Sequence, residues 1–298
     1  MVLRFLRVRR DLSRCLPRSR AVVCSTFNLN LFLTEQSLSL FRFKPAVLGR
    51  VAHLLEVEGG SSQRRYRAPA VESVCVVLRR LSSPARRWDL EPLFGRSSSS
   101  LSEVFYETME RLDEGWSDAL CTWRVDLMGQ RAPRYAQCVL DKGGGLDNCV
   151  GFINGTGLFV AGPGGGLQRS FYSGHKGTHF LKFQSVTTPD GLLFHLFGPM
   201  EGRRHDITMY REAGLQYCLF GDKAFLLRPW MQVAFPEPVD GEQDADKEEQ
   251  NTNMAAVRVS VEWGYKEVKL VFKSLEYKRK LMVREGPVGL MYRCAVFL

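Results

Sequence analysis

The stretch THFLKFQSVTTPDGLLFHLFGPM, residues 178–200, decides the fold because it predicts a β-hairpin. Both halves are rich in phenylalanine, leucine and valine, which suit strands. Between them, Pro189, Asp190 and Gly191 have the chemistry of a tight turn. Proline fixes φ, aspartate bonds to the neighbouring backbone, and glycine tolerates a positive φ. We therefore expect two antiparallel strands at the centre of the second half of the chain.

The flanking segments predict further strands and helices. Residues 151–160, GFINGTGLFV, read as a strand that ends at Asn154, a turn at Gly155 and Thr156, and a second strand. Downstream, DITMYREAGLQ predicts a short helix, and YCLFGDKAF predicts a short strand that ends at Asp222. Residues 254–272 carry apolar side chains at helical spacing, and the acidic segment before them, including Asp240 to Glu249, reads as a surface loop.

The first half of the chain predicts helices. Apolar residues recur at helical spacing around residues 74–78 and 101–112, and Ser97 to Ser100 can cap the second helix. A helix, a glycine-containing turn and a second helix are also the pattern of a DNA-reading helix-turn-helix, although plain packing explains the same pattern. The predicted organisation is a basic, poorly ordered arm at 1–34, a helical domain at 35–140, and an α/β domain at 146–298 after a glycine-rich linker.

Composition narrows the class of protein. The 298 residues are 45% hydrophobic and 24% charged, as in a folded globular chain, and the net charge of +9 favours an anionic partner. Seven arginines between Arg4 and Arg20 face only Asp11, so the arm can be a simple extension, a mitochondrial presequence or a basic arm on DNA. No apolar run is long enough to predict a membrane span, and the irregularly spaced cysteines indicate reduced thiols.

Several sequence blocks occur in the order and spacing of one known family. Together they resemble the DDE-type transposase domain of the PIF/Harbinger superfamily over about residues 70 to 295, and the chain ends soon after a point where relatives usually continue. The resemblance implies a ribonuclease-H-like catalytic domain preceded by a helical domain. The blocks are GFINGT, YSGHKGTHFLKFQSVTTPDGLL, GPMEGRRHD, LFGDKAFLLRPW and MAAVRVSVEW.

The resemblance also implies the positions of a catalytic site. The three metal-binding acids of the family fall on Asn154, Asp222 and Glu262, and a further family aspartate falls on Asp206 as a supporting residue. Such sites hold Mg²⁺ or Mn²⁺ between carboxylates and act on phosphodiester bonds. Basic residues beside these blocks are candidates for phosphate contact: His175, Lys176, Arg203 and Arg204.

Simpler interpretations exist for these residues. Asp222 can cap a strand, and Glu262 can pair with Arg258 one helical turn earlier. His175 and His179 have a spacing that suggests zinc, but neither a cysteine nor a carboxylate accompanies them.

Asn154 separates two hypotheses about function. An amide oxygen can ligate a cation but brings no charge, so the first hypothesis is a metal-dependent DNA endonuclease or strand-transfer enzyme impaired at its first acid. The alternative is a transposon-derived DNA- or protein-binding module that does not cut. The resemblance further implies a nuclear protein that works with a Myb-like DNA-binding partner, with cytoplasmic or mitochondrial location as alternatives.

Overall fold

The computed structural model describes most of the chain from Phe27 onward. Residues 1–26, which make up most of the predicted arm, lie outside the described residues, as does His175. For Arg87 and residues 260–265 only the backbone is described. The described ranges are 27–55, 67–174, 176–215, 217–222, 225, 227–236, 244–278, 281–283 and 287–298.

A mixed sheet forms the centre of the second half. Its strands are β1 (Gly151–Phe159), β2 (Tyr172–Ser173), β3 (Thr178–Thr187), β4 (Leu193–Glu201), β5 (Leu219–Gly221) and β6 (Met231–Val233). The order across the sheet is β4-β3-β1-β5-β6, and β2 pairs with the start of β3. Strands β4, β3 and β1 are antiparallel, whereas β1, β5 and β6 are parallel.

The predicted hairpin is confirmed by β3 and β4. Its turn is stabilised by the Asp190 carboxylate, which accepts a hydrogen bond from the Thr188 hydroxyl at 2.6 Å. Gly191 has a φ of +82°, which explains the glycine. The other Asp190 oxygen accepts a hydrogen bond from the Tyr135 hydroxyl at 2.8 Å and ties the turn to a helix of the first half.

The prediction for residues 151–160 was wrong in one respect. Asn154 does not end a strand, and Gly155 and Thr156 do not form a turn. Strand β1 is continuous and pairs with β3 from Phe152↔Thr187 to Phe159↔Phe180. The long antiparallel pairing with the apolar strand β3 fixes the register of β1. This pairing overrides the local preference of glycine for a turn.

The predicted helices of the first half are present. They are α1 (Thr34–Phe41), α2 (Pro45–Leu54), α3 (Ala70–Ser82), the short α4 (Glu91–Phe94), α5 (Ser98–Cys121) and α6 (Val125–Asp141). The hydroxyl of Ser97 accepts a hydrogen bond from the backbone N–H of Ser100 and caps α5 as predicted. Segment 83–97 between α3 and α5 contains a 3-10 helix and α4, whereas a helix-turn-helix uses a turn of about 3–4 residues. The helix-turn-helix alternative therefore fails on geometry.

These helices share a hydrophobic core with the sheet instead of having one of their own. Phe105 and Met109 of α5 belong to the same buried cluster as Leu158 of β1, Phe183 of β3 and Tyr292 near the C-terminus. The boundary near residue 140 therefore stays a prediction from sequence.

One buried histidine also joins the helices to the sheet. The His195 Nε2 of β4 donates to the carbonyl of Cys121 at the end of α5, over 3.1 Å. Burial lowers the pKa of His195 to about 4, because the protonated ring would lack the hydration that stabilises its charge in water. The histidine is therefore neutral where it is packed.

Four further helices complete the second half: α7 (Gln168–Phe171), α8 (Asp206–Glu212), α9 (Ala245–Val271) and α10 (Val288–Phe297). The predicted late helix is confirmed, but α9 begins well before Met254 and includes part of the predicted acidic loop. The Asp244 carboxylate caps it by accepting from the Asp246 N–H at 3.3 Å. Acidic residues stabilise a first helical turn, so the acidic run is a helix start. None of the described helices is long and apolar enough to span a membrane.

Candidate functional site

Strand β1 presents two faces with different neighbours. Phe152 packs in a buried cluster with Phe220 of β5 and Met254 of α9, so we call its side the α9 face. Ile153 packs in another cluster with Tyr210 of α8 and Leu219, so we call its side the cleft face. Because side chains alternate along a strand, Asn154 and Thr156 lie on the α9 face, and Gly155 and Gly157 on the cleft face.

The parallel pairing of β1 and β5 runs toward Asn154 and Asp222. The register joins Gly151 to Leu219 and Phe152 to Phe220. Continued by two residues, the same register brings position 154 opposite position 222, directly after β5. Neighbouring strands are about 4.8 Å apart, so an amide oxygen and a carboxylate at these positions can reach one cation. Both residues make contacts within the protein and are not free groups.

Helix α9 runs alongside β1 in the same direction. Near its start, Met254 packs with Phe152, and near its end the Lys269 Nζ donates to the carbonyl of Gly157 at 2.9 Å. At about 1.5 Å per residue, position 262 lies about 12 Å beyond Met254 and about 10 Å before Lys269. Asn154 lies about 7 Å beyond Phe152 and about 10 Å before Gly157. The backbone of Glu262 is therefore roughly level with Asn154.

Position 262 lies in the second half of α9, and only its backbone is described. Position 262 is one turn after Arg258 and two turns after Met254, and residues at this spacing share a helix face. Arg258 lines a cavity of about 340 Å³ together with Asp222, Asn251 and Ala255. That Asn154, Asp222 and Glu262 form one site stays a prediction. The side chain of Glu262 is outside the described residues.

The supporting aspartate lies on the opposite face. A Cβ added to Gly155 would come within 2.9 Å of the Asp206 Oδ1, so the carboxylate lies against β1 on the cleft face. This oxygen is 3.1 Å from the Lys182 Nζ, and the Asp206 carbonyl accepts from the Gln184 Nε2 at 3.0 Å. Asp206 therefore holds the start of α8 against β3, and the strand separates it from Asn154.

A cavity of about 590 Å³, here called the basic cleft, opens over the cleft face. Arg203, Arg204 and Lys176, which are the candidates for phosphate contact, line this cavity together with Asp222. Four lysines and arginines face two aspartates in its lining, so the cleft attracts anions. Asp222 also lines the cavity against α9, so the basic cleft and that cavity meet at this residue. The charged lining residues are Lys176, Lys182, Arg203, Arg204, Asp206 and Asp222.

Sequence reasoning missed two residues of the cleft. Lys182 stands in the apolar run FLKFQSV, and its alternation with Gln184 was a signal that one face of β3 is polar. Tyr172, which is 44% exposed, lines the cleft from the edge strand β2. Its sequence context gave no such signal.

The described residues contain no group of three or more histidine, cysteine or acidic side chains that could hold a metal ion. The side chain of Glu262 lies outside these described residues. Asn154, Asp222 and Glu262 all carry oxygen donors, the ligand type that Mg²⁺ and Mn²⁺ prefer. At most two of the three are anionic. That charge balances one divalent ion and falls short of two.

Comparison with known proteins identifies the second half of the chain. The family model described as DDE superfamily endonuclease matches residues 153–298, from the residue before Asn154 to the C-terminus. A search of curated proteins and of solved structures gave no significant match. DDE endonuclease domains are ribonuclease-H-like and generally use divalent metal ions, and the mixed sheet with flanking helices agrees with that fold class. Residues 153–298 are therefore a DDE superfamily endonuclease domain.

Proposed function

We propose that this domain binds DNA through the basic cleft and that its cleavage of phosphodiester bonds is impaired by Asn154. The observation that supports the proposal is the parallel register of β1 and β5, which would set Asn154 beside Asp222 if it continued by two residues, together with the lining of both cavities by Asp222. DNA binding and phosphodiester cleavage would then depend on different residues. The domain would have kept DNA binding and lost part of its cleavage activity.

Phosphate binding is assigned to Lys176, Arg203 and Arg204. Arginine presents several N–H donors in a fork that fits phosphate oxygens, and lysine adds a compact charge. Arg204 is held at 2.6 Å from the Glu212 carboxylate on the surface, so we expect Arg203 to contribute more. A cleft of this charge attracts any polyanion, and its DNA affinity would fall steeply as salt concentration rises.

The proposed metal ligands are Asn154, Asp222 and Glu262. A divalent ion bound there would supply Lewis-acid chemistry at a phosphodiester. The Asp222 and Glu262 carboxylates would bind this ion and neutralise its charge. The Asn154 amide oxygen would be a ligand that adds no negative charge. Asp206 has a positioning role, because it is occupied by Lys182 on the other face. The missing charge at position 154 weakens metal binding, so cutting would be slow at physiological Mg²⁺.

The alternative function is a DNA- or protein-binding module that does not cut. The neutral Asn154 is the observation that favours it, because an amide at a charged metal position is compatible with a site no longer selected for catalysis. DNA binding is common to the nuclease and to the DNA-binding form of the module. They differ in whether restoring one carboxylate restores activity.

Three further parts of the proposal rest on the sequence resemblance. The domain would belong to the PIF/Harbinger group, it would be nuclear, and a Myb-like DNA-binding protein would be its partner. A targeting test would separate the locations: fluorescent fusions of the full chain and of a chain lacking residues 1–26 would both reach the nucleus. Mitochondrial staining of the full chain alone would show that the arm is a presequence.

The function is tested with supercoiled plasmid DNA and three proteins: wild type, Asn154→Asp, and Asn154→Asp with Asp222→Asn. Binding is followed by gel retardation and cutting by nicked-circle formation, in Mg²⁺, Mn²⁺ or EDTA. We expect all three to retard DNA. Asn154→Asp should nick at least about tenfold faster than wild type in metal, and the double variant should not, because the first change restores a charge that an ion requires.

The outcomes separate the two functions. Nicking that appears in Asn154→Asp and disappears in the double variant supports an impaired nuclease. Three proteins that bind DNA equally and nick at background rates support the binding module. Wild-type protein that fails to retard DNA at low salt overturns the proposal altogether.

A further inference from the structure

One end of the basic cleft combines an exposed aromatic ring with cationic side chains. Tyr172 is 44% exposed and lines the cleft, as do Lys176 and Arg203. The chain brings them together through backbone contacts. The Arg203 N–H donates to the carbonyl of Ser170 at 3.2 Å, and the Lys176 N–H donates to the Ser173 hydroxyl at 3.4 Å. Tyr172 therefore lies within one short segment, residues 170–173, that accepts hydrogen bonds from the backbones of Arg203 and Lys176.

The tyrosine ring is held in a defined orientation. Strand β2 pairs Tyr172 with His179 of β3, and their ring centroids are 5.2 Å apart at an interplanar angle of 65°. His179 itself lies against Gly162, where an added Cβ would be 3.3 Å from the histidine ring. The Tyr172 ring is thus supported on the protein side while almost half of its surface remains accessible. A ring fixed in this way loses little entropy when a ligand stacks on it.

Phe180 and two glycines shape the floor of the cleft. A Cβ at Gly157 would come within 2.4 Å of the Phe180 ring, and one at Gly202 would come within 2.5 Å of the Phe180 carbonyl. The volume of the basic cleft, about 590 Å³, is within the range of about 300–1,000 Å³ that is typical of small-molecule pockets. A cleft of this volume accommodates one or two nucleotides. A paired duplex keeps its bases stacked inside the helix and can offer only its phosphates to it.

We propose that the Tyr172 end of the basic cleft binds an unpaired nucleotide of the DNA, with its base stacked on Tyr172 and its phosphate held by Arg203 and Lys176. This inference rests on the proposed DNA-binding function and adds the form of DNA that the cleft prefers. Bases stack on aromatic rings with little dependence on sequence, because every base has a π-face. The domain would therefore favour single-stranded, frayed or locally unpaired DNA over a closed duplex.

The test measures fluorescence anisotropy of the full chain with three oligonucleotides of one sequence: single-stranded, fully paired, and paired except for one unpaired base. Wild type should bind the first and third more tightly than the second at the same salt concentration. Tyr172→Ala should lose about tenfold in affinity for the single strand and change duplex affinity less than twofold. Tyr172→Phe should keep wild-type affinity, because stacking needs the ring and not the hydroxyl.

Trp88→Ala is the matched control, since Trp88 is 64% exposed but does not line the cleft, and it should bind all three DNAs as wild type does. A fluorescent 2-aminopurine at the unpaired position provides a readout in the unmodified protein, because stacking on Tyr172 should quench it. Equal affinity of wild type for paired and unpaired DNA would overturn the inference, as would equal losses of affinity for both in Tyr172→Ala. Either result would leave the proposed DNA-binding function standing. A protein that binds none of the three refutes DNA binding itself.

Discussion

The two faces of β1 differ in how many residues each task requires. On the cleft face, attraction of an anion is spread over Lys176, Lys182, Arg203 and Arg204, and no single residue decides it. On the α9 face, a metal ion would depend on three positions, and one of them is the neutral Asn154. Attraction of an anion by several cationic side chains is largely kept when one of them is replaced, whereas metal binding by three ligands is strongly weakened by one replacement. Under the proposed function, a domain with these two faces would keep its affinity for DNA when Asn154 weakens its metal site.

The largest effect should come from reversing charge on the cleft face. The double variant Lys176→Glu, Arg203→Glu should lose about a hundredfold or more in DNA affinity, and the slope of log affinity against log salt should shrink by about two, because two phosphate contacts are lost. Electrophoretic retardation over a range of salt concentrations measures both.

The matched control is Arg134→Glu with Arg211→Glu, which changes net charge equally at two exposed residues outside the cleft. An equal loss in the control would mean that net charge, and not the cleft, drives binding. The comparison between the two faces would then fail.

The next largest effect should be a loss of stability when the contact between β1 and α8 is disturbed. Gly155→Val should lower the free energy of unfolding by about 3 kcal/mol, because its Cβ would lie 2.9 Å from an Asp206 oxygen that is already paired with Lys182. Urea unfolding followed by circular dichroism measures this loss. Gly164→Val is the control, since a Cβ there meets nothing within 4 Å. Similar stabilities for the two variants would show that Asp206 does not lie against β1.

A smaller loss of stability is expected when the pH is lowered, because the buried His195 joins β4 to the end of α5. Its folded pKa of about 4 is below the ordinary value of 6.5, so the unfolded chain binds more protons between these values and stability falls as pH decreases. This one group should make the protein about 2 kcal/mol less stable at pH 5 than at pH 7.5. His195→Gln, which can still donate to the Cys121 carbonyl, should show a flatter pH dependence of urea unfolding. Identical pH profiles would mean that the histidine is already solvated.

The sequence predicted the hairpin, α5 and α9 because each has a strong local signal: a Pro-Asp-Gly turn, a serine cap and a helical apolar stripe. It did not predict that β1 continues through Gly155, since only pairing with β3 overrides the glycine there. It gave Asp206 a supporting role beside the catalytic acids, but the side of β1 on which this aspartate lies becomes visible only once the strand register is known. The convergence of Asn154 and Asp222 stays a prediction, and the parallel pairing of β1 with β5 that would bring them together is encoded in no local pattern.

We propose that Asn154 alone separates this domain from a charged metal site. Isothermal titration with Mn²⁺ tests it on wild type, Asn154→Asp, and Asn154→Asp with Glu262→Gln. Wild type should bind weakly, Asn154→Asp at least about tenfold more tightly because a third carboxylate faces the ion, and the double variant weakly again. Tight binding by wild type, or no gain in Asn154→Asp, would contradict the claim that positions 154, 222 and 262 form one metal site weakened at its first position.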